Sequence, residues 1–168
     1  MDEPEPEAPV TDVDVPGVRV VTTPAEREDA LAVRHEVFVE GQDVPPALEQ
    51  DEHDDDPATT AFVAYADGSD GDGRIAVGAA RLRPYGEGEG KVERVAVLES
   101  RRGEGWGRRL MDAVERVAAE RGFERLRLGS QTHAVGFYER LGYEVIDDEP
   151  FLDAGIPHRS MAKELDLD

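Results

Sequence analysis

Lys91-Val92-Glu93-Arg94-Val95-Ala96-Val97, then Leu98-Glu99-Ser100-Arg101, then Arg102-Gly103-Glu104-Gly105-Trp106-Gly107-Arg108-Arg109 and a helical pattern as far as Arg121 form the stretch that decides the fold. Strand alternation puts Glu93, Val95 and Val97 on one face and Val92, Arg94 and Ala96 on the other. After the glycine-rich turn, Trp106, Leu110, Met111, Val114, Val117 and Ala118 recur at three- and four-residue steps and make one apolar helix stripe. A strand thus enters a turn that opens directly into a helix, whose first-turn amides have no partners inside the helix and attract an anion. Gly103, Gly105 and Gly107 let the backbone approach a ligand closely, and Arg101, Arg102, Arg108 and Arg109 surround the turn with positive charge. The ligand these features predict carries phosphates.

Two common phosphate loops are excluded. No Gly-Lys-Ser/Thr ends the glycine run, and Gly103-x-Gly105-x-Gly107 has the wrong spacing for a dinucleotide fingerprint. What is left, Arg102-Gly103-Glu104-Gly105-Trp106-Gly107, resembles the Arg/Gln-x-x-Gly-x-Gly/Ala signature of the GNAT superfamily of N-acetyltransferases. Leu128 to Tyr143, with Phe137-Tyr138 followed by Gly142-Tyr143, is similar to a later part of that fold. Arg34 to Gln42 and Asp153 to Ala162 extend the resemblance, which reaches the ElaA-like subgroup and covers roughly residues 18 to 165.

The resemblance implies an α/β fold: a central mixed, largely antiparallel sheet of six to seven strands flanked by helices, its central parallel strands splayed. It implies acetyl-CoA as cosubstrate and a small-molecule or peptide amine as acceptor. The cofactor-binding set it implies is Val95 and Val97 beside the acetyl group, the turn Arg101, Arg102, Gly103, Glu104, Gly105, Trp106, Gly107 and Arg108, and Gln131, Phe137 and Tyr138. Gln131 stands where much of the superfamily has asparagine. Trp106 reads as packing the helix start, and Phe137 and Tyr138 also read as core aromatics of a short helix.

For the chemistry, Tyr138 takes the place where many superfamily members keep a tyrosine as general acid, and a phenol with a pKa of about 10 donates to a thiolate while staying protonated at neutral pH. The base is open among three residues. Glu93 points to the acetyl site if Val95 and Val97 do, and pairing with Arg81 or Lys91 is its structural alternative. His133 and His158 titrate in a range suited to an amine proton. A second class of reading is a non-catalytic acyl-CoA-binding regulatory module, which has no need of Tyr138 and Glu93.

Composition bounds the rest. The 168 residues suit one domain with a core of its own, and the absence of cysteine excludes disulfides and thiolate catalysis. Net charge is -20, from 39 acidic and 19 basic residues, with Lys91 and Lys163 the two lysines. Such a surface repels nucleic acid and anionic membranes and has the composition expected of a protein in a very salty cytoplasm. No long apolar run or secretion signal is present, so a cytoplasmic location is expected. The charge is uneven: residues 1 to 60 hold 18 acids and 3 bases, residues 91 to 140 hold 8 acids and 11 bases.

In chain order, residues 1 to 16 read as a disordered acidic tail and 17 to 168 as a single acyltransferase domain. Val18 to Val21 is a strand, and Thr23-Pro24-Ala25-Glu26 is a strong helix start. The loop from Glu40 to Thr60 carries Glu49 to Asp56, read as a solvated acidic loop or as a wall favouring a cationic amine. It fails the calcium-loop pattern. Phe62 to Tyr65 and Arg74 to Arg83 are strands, with Ile75, Val77, Ala79 and Arg81 on one face. Arg125 to Leu128, Glu144 to Asp147 and Pro157 to Glu164 complete the sheet. Histidines 35, 53, 133 and 158 lack zinc-site spacing, so no metal is expected. In the superfamily, pairing through the last strands is common, which admits a homodimer.

Overall fold

The structure is a computed structural model that describes residues 13 to 67 and 74 to 165. The first helix begins where its caps predict. The Thr23 hydroxyl accepts from the Glu26 amide at 3.1 Å, and the Glu26 carboxylate accepts from the Thr23 amide at 3.2 Å. Helix α1 (Pro24–Arg34) buries Ala30, Val33 and Arg34, then widens into a π-helical segment, His35–Glu40. The connection that follows is not structureless. It contains a short helix α2 (Pro46–Glu49) and a 3₁₀ turn, Glu52–Asp55, which Asp51 caps.

Eight strands form one sheet among the described residues: β1 (Val18–Val20), β2 (Thr60–Asp67), β3 (Arg74–Pro84), β4 (Glu89–Val97), β5 (Arg125–Gln131), β6 (Glu144–Val145), β7 (Phe151–Asp153) and β8 (Ile156–Glu164). Their order is β1-β2-β3-β4-β5-β8-β6, with β7 also on β8. Only β4 and β5 pair in parallel. The expected six to seven strands are exceeded by the three-residue β7, and the glycine-rich loop expected to join β2 to β3 lies outside the described residues apart from Asp67. Of the predicted tail, residues 1 to 12 also lie outside, while Val15 is buried in the core.

Helix α3 (Trp106–Glu120) crosses over from β4 to β5, and all six stripe residues read from its sequence are buried. With α4 (Val135–Arg140), it covers one face of the sheet, where Phe62, Leu82, Val92, Leu110, Met111, Val114, Leu126 and Met161 form the larger core. On the other face, α1 covers a smaller core of Val63, Ala79 and Ala96. That cover stops short of β5 and β8, leaving a cleft on this side.

Two bulges break the strand period. Ala64 faces Gly78 but Tyr65 faces Ala76, so Val77 is an extra residue in β3. Ala79 faces Ala96 but Arg81 faces Glu93, so Arg94 and Val95 together oppose Ala80. The shared face expected for Ile75, Val77, Ala79 and Arg81 is therefore wrong: Val77 packs in the larger core and Ala79 in the smaller. The expected shared face of Glu93 with Val95 and Val97 fails for the same reason. Both valines pack toward α3 and α4, whereas Glu93 meets Arg81 on the opposite side. Arg94 takes φ +57°, a costly conformation for a residue with a side chain, and three contacts hold it there: Nε to the Glu49 carbonyl at 2.9 Å, and Nη2 to the Leu48 carbonyl at 3.1 Å and to Asp51 at 3.3 Å.

The bulge has a consequence for the central strands. Parallel pairing between β4 and β5 runs from Glu89 opposite Arg125 to Val92 opposite Leu128 and then ends. Glu93 to Val97 and Gly129 to Gln131 continue without pairing to each other, so the two strands part and their facing backbone groups have no strand partner.

Candidate active site

The turn before α3 has the properties its sequence predicts. Gly103 and Gly105 take φ +84° and +89°, which a side chain would oppose. Gly105 is the N-cap of α3 and supplies no side-chain cap, and the first turn holds no acid. No backbone hydrogen bond from the amides of Gly103 to Arg108 is found among the described residues, so a fan of free donors sits at the positive end of a 15-residue helix. Arg102 is exposed, lines the cleft and has no ion-pair partner among the described residues; Arg108 is exposed as well. Arg101 is turned toward Glu104 at 3.7 Å.

Trp106 contributes its amide here and not its ring. The indole is 8% exposed, donates to Glu104 at 3.1 Å, and fills the space beside Gly17, where a Cβ would lie 2.8 Å from it. Gly107 has a packing reason of its own: a Cβ there would sit 3.1 Å from Phe137, so its absence lets α4 approach the start of α3. Phe137 in turn meets Tyr138 edge to face, with centroids 4.9 Å apart.

A cleft of about 460 Å³ passes through the gap between β4 and β5. Val95, Val97, Ala134 and Tyr138 line it from the α3 and α4 side, and Phe38, Gln42, Glu93, Gln131 and His158 line it from the other. Tyr138 is 8% exposed, and burial raises its pKa well above the usual phenol value, so it stays protonated. Its hydroxyl makes no hydrogen bond to another described residue. Gln131 and Gln42 exchange amide hydrogen bonds, Gln131 Nε2 donating to Gln42 Oε1 at 2.7 Å, which ties the end of β5 to the segment after the π-helix.

The three base candidates separate. Glu93 accepts from Arg81 at 2.6 Å and from Arg83 at 2.7 Å. Burial acts to raise its pKa, but the hydrogen bonds and charges of Arg83 and Arg81 outweigh it and hold the group at about 2. His133 is exposed on a 3₁₀ turn, Thr132–Ala134, at the cleft edge. His158 is 8% exposed, stacks on Phe151, and its Nδ1 lies 2.7 Å from the Ile156 carbonyl. That contact makes Nδ1 the donor and leaves Nε2 as the basic nitrogen of the neutral ring. The ring lies over Gly129, with Cδ2 3.9 Å from where a Cβ would be.

The acidic loop is divided: Glu52, Asp55 and Asp56 are exposed to solvent, whereas Glu49, Asp51 and Asp54 are held by arginines. Glu49, 3% exposed, pairs with Arg34 and Arg94, and Asp54 pairs with Arg34 at 2.7 Å and Arg81 at 3.1 Å. Asp51 pairs with Arg81 and Arg94. Arg81 itself is 1% exposed, a guanidinium enclosed by three carboxylates. The sequence reading missed several cleft residues: Leu48, Tyr85, Lys91, Arg127 and Phe151. Only Lys91 carried a signal, as one of two lysines in the chain. No group of three or more candidate ligands for a metal ion occurs among the described residues, and no helix there is long and apolar enough to cross a membrane.

Comparison with known proteins agrees with this geometry. The chain is 44% identical over 137 residues to "Uncharacterized N-acetyltransferase YjcF" of Bacillus subtilis (strain 168), covering 82% of this chain and 91% of that protein. The crystal structure of a putative N-acetyltransferase from Lactobacillus plantarum superposes with a TM-score of 0.77 at 31% identity, over 88% of this chain and 97% of the other. Escherichia coli ElaA superposes with a TM-score of 0.74 over 88% and 98% of the two chains, but at 24% identity that shows a common fold. ElaA is thus one of several comparable structural neighbours, and what they share is the wider fold. Residues 22–165 match the family model "Acetyltransferase (GNAT) domain", and the chain belongs to that family.

Proposed function

We propose that this enzyme moves an acetyl group from acetyl-CoA to a primary amine by direct attack, with Tyr138 as general acid and His158 as general base. One observation carries the reading: Tyr138 and His158 approach the same gap from opposite faces of the sheet. A thioester threaded between β4 and β5 would then expose its sulfur to one residue and its carbonyl carbon to an amine beside the other. The residues present fit such a cosubstrate. The free amides of Gly103 to Arg108, with Arg102, suit a pyrophosphate, and the unpaired edges of β4 and β5 suit the amide groups of a pantetheine arm. Val95 and Val97 form the apolar wall of that channel.

In the proposed reaction His158 Nε2 accepts the proton lost by the attacking amine, the new C–N bond forms, the C–S bond breaks, and the Tyr138 hydroxyl protonates the departing sulfur. Solvent returns the tyrosine proton and removes that of the histidine. The products are the N-acetyl amine and free CoA. Glu93 leaves the list of bases, since a carboxylate held at about 2 by two arginines is a poor acceptor at neutral pH. We place the reaction in the cytoplasm, where acetyl-CoA is made and used.

The test is acceptor-dependent thiol release from acetyl-CoA in molar potassium chloride with Tyr138→Phe and His158→Ala. Tyr138→Phe should lower kcat by about 10² or more with the acetyl-CoA Kd unchanged. His158→Ala should lower kcat/KM by about 10² at neutral pH with the acetyl-CoA Kd unchanged. A variant pair that keeps wild-type rates would overturn the assignment, and tight acetyl-CoA binding with no turnover of any amine would leave the non-catalytic binding module.

A further inference from the structure

The chain's two lysines have different surroundings. Lys163 donates to Glu115 at 2.8 Å and to the Leu141 carbonyl at 2.7 Å. Lys91, 30% exposed on the cleft wall, makes no hydrogen bond to a described residue. Its nearest carboxylate oxygen, on Glu93, is 3.7 Å away, and that carboxylate already accepts from Arg81 and Arg83. The Tyr85 ring lies 5.0 Å from the ammonium, which positions it without satisfying its three donors. Arg127, directly opposite Lys91 in the β4–β5 ladder, also lines the cleft and brings a second positive charge, bound at its Nε edge by Glu89.

Glu89 accounts for one edge of Arg127, but no carboxylate free of other partners faces Lys91 in the cleft. Glu49 and Glu93 are held by arginines. Asp153 is exposed, but it sits opposite Ile156, six β8 residues from Ala162, the partner of Arg127. At about 3.3 Å per residue that is roughly 20 Å away. In a chain of net charge -20, the acceptor side of the cleft therefore holds an ammonium with no hydrogen bond to a described residue, its carboxylate neighbour Glu93 standing 3.7 Å off and already shared by two arginines.

The geometry points to an acceptor that carries a carboxylate as well as its amine, with Lys91 and Arg127 receiving the carboxylate. This rests on the reading that the amine reacts beside His158. That ring lies over Gly129, two residues from Arg127 on β5 and hence about 7 Å along the strand, so the two groups of the acceptor stand several bonds apart. An ω-amino acid or a short peptide with a free C-terminus has this separation, whereas an α-amino acid is too short. Tyr85, 40% exposed beside Lys91, offers apolar contact to whatever joins them.

The experiment measures equilibrium binding of matched probes to the CoA-loaded protein: 6-aminohexanoate and its primary amide, glycyl-leucine and its C-terminal amide, leucine, and spermidine. The two carboxylates should bind at least tenfold more tightly than their amides. Lys91→Met should bring that ratio close to one, and Lys91→Arg should retain part of it, with CoA affinity and unfolding midpoint unchanged in both variants. The ω-amino acid and peptide arms tell a free metabolite from a peptide end. Equal or tighter binding of the amides or spermidine, a ratio insensitive to Lys91→Met, or no binding by any probe would overturn the proposal. Thiol release is followed in parallel with acetyl-CoA. Carboxylate-selective binding without release would defeat the transfer mechanism while keeping the Lys91 site, and release with spermidine alone would do the reverse.

Discussion

Two groups of arginines occupy this molecule, and they differ in what faces them. Around the turn before α3, Arg102 and Arg108 stand exposed beside free amides, with no ion-pair partner among the described residues. Under the acidic loop, Arg34, Arg81 and Arg94 are matched by Glu49, Asp51, Asp54 and Glu93. The first group can release energy only when an anion arrives. The second has already used its charge to hold the loop and the β4 bulge in place. A positive residue therefore marks a site by the absence of a nearby carboxylate, and that is a property of the fold.

Substitutions sharpen the contrast. Arg81→Met takes one of two arginine partners from each of Asp51, Asp54 and Glu93 at once, so its cost should be about 3 to 5 kcal/mol in chemical denaturation. A change under 1 kcal/mol would mean that the network is only loosely coupled to folding. Acid titration probes the same cluster. Glu93 titrates near 4.3 in an unfolded chain and at about 2 when folded, so the unfolded state binds more protons in between. Its contribution, about 3 kcal/mol, is complete above pH 5 and lost as the pH falls through 2. Denaturation midpoints should drop across that window in the wild type, with a shallower slope in Glu93→Gln. At the turn, Arg102→Met should leave unfolding within about 0.5 kcal/mol of wild type and weaken acetyl-CoA binding about tenfold in calorimetry. The comparison would break if this variant lost stability and kept affinity.

Acceptor selection follows from the same accounting. The acidic first third of the chain invites the expectation of a cationic acceptor, yet its loop carboxylates that reach the sheet are held by arginines. What is left unsatisfied at the cleft is Lys91. Net charge describes the whole surface and is a poor guide to a pocket whose walls have been neutralised locally.

Local physics made much of the architecture readable in advance. The Thr23 capping box, the α3 stripe from Trp106 to Ala118 and the glycine turn that leaves the α3 amides free all depend on residues a few positions apart, and each occurs as read. Tyr138 in the cleft follows from the same short-range pattern with the family resemblance. The faces of β3 and β4 did not follow, because Val77 and the Arg94–Val95 pair are extra residues whose presence depends on the neighbouring strand's register. Nor did the fates of Glu93, Glu49 and Lys91, which are set by partners brought together from α1, the acidic loop, β3 and β4. Periodicity and capping act along the chain, so the amino-acid order alone determined them. Charge compensation and the parting of β4 from β5 act across it, and only the tertiary structure decided which carboxylates are paired with arginines, on which side of the gap His158 stands and which lysine makes no hydrogen bond to a described residue.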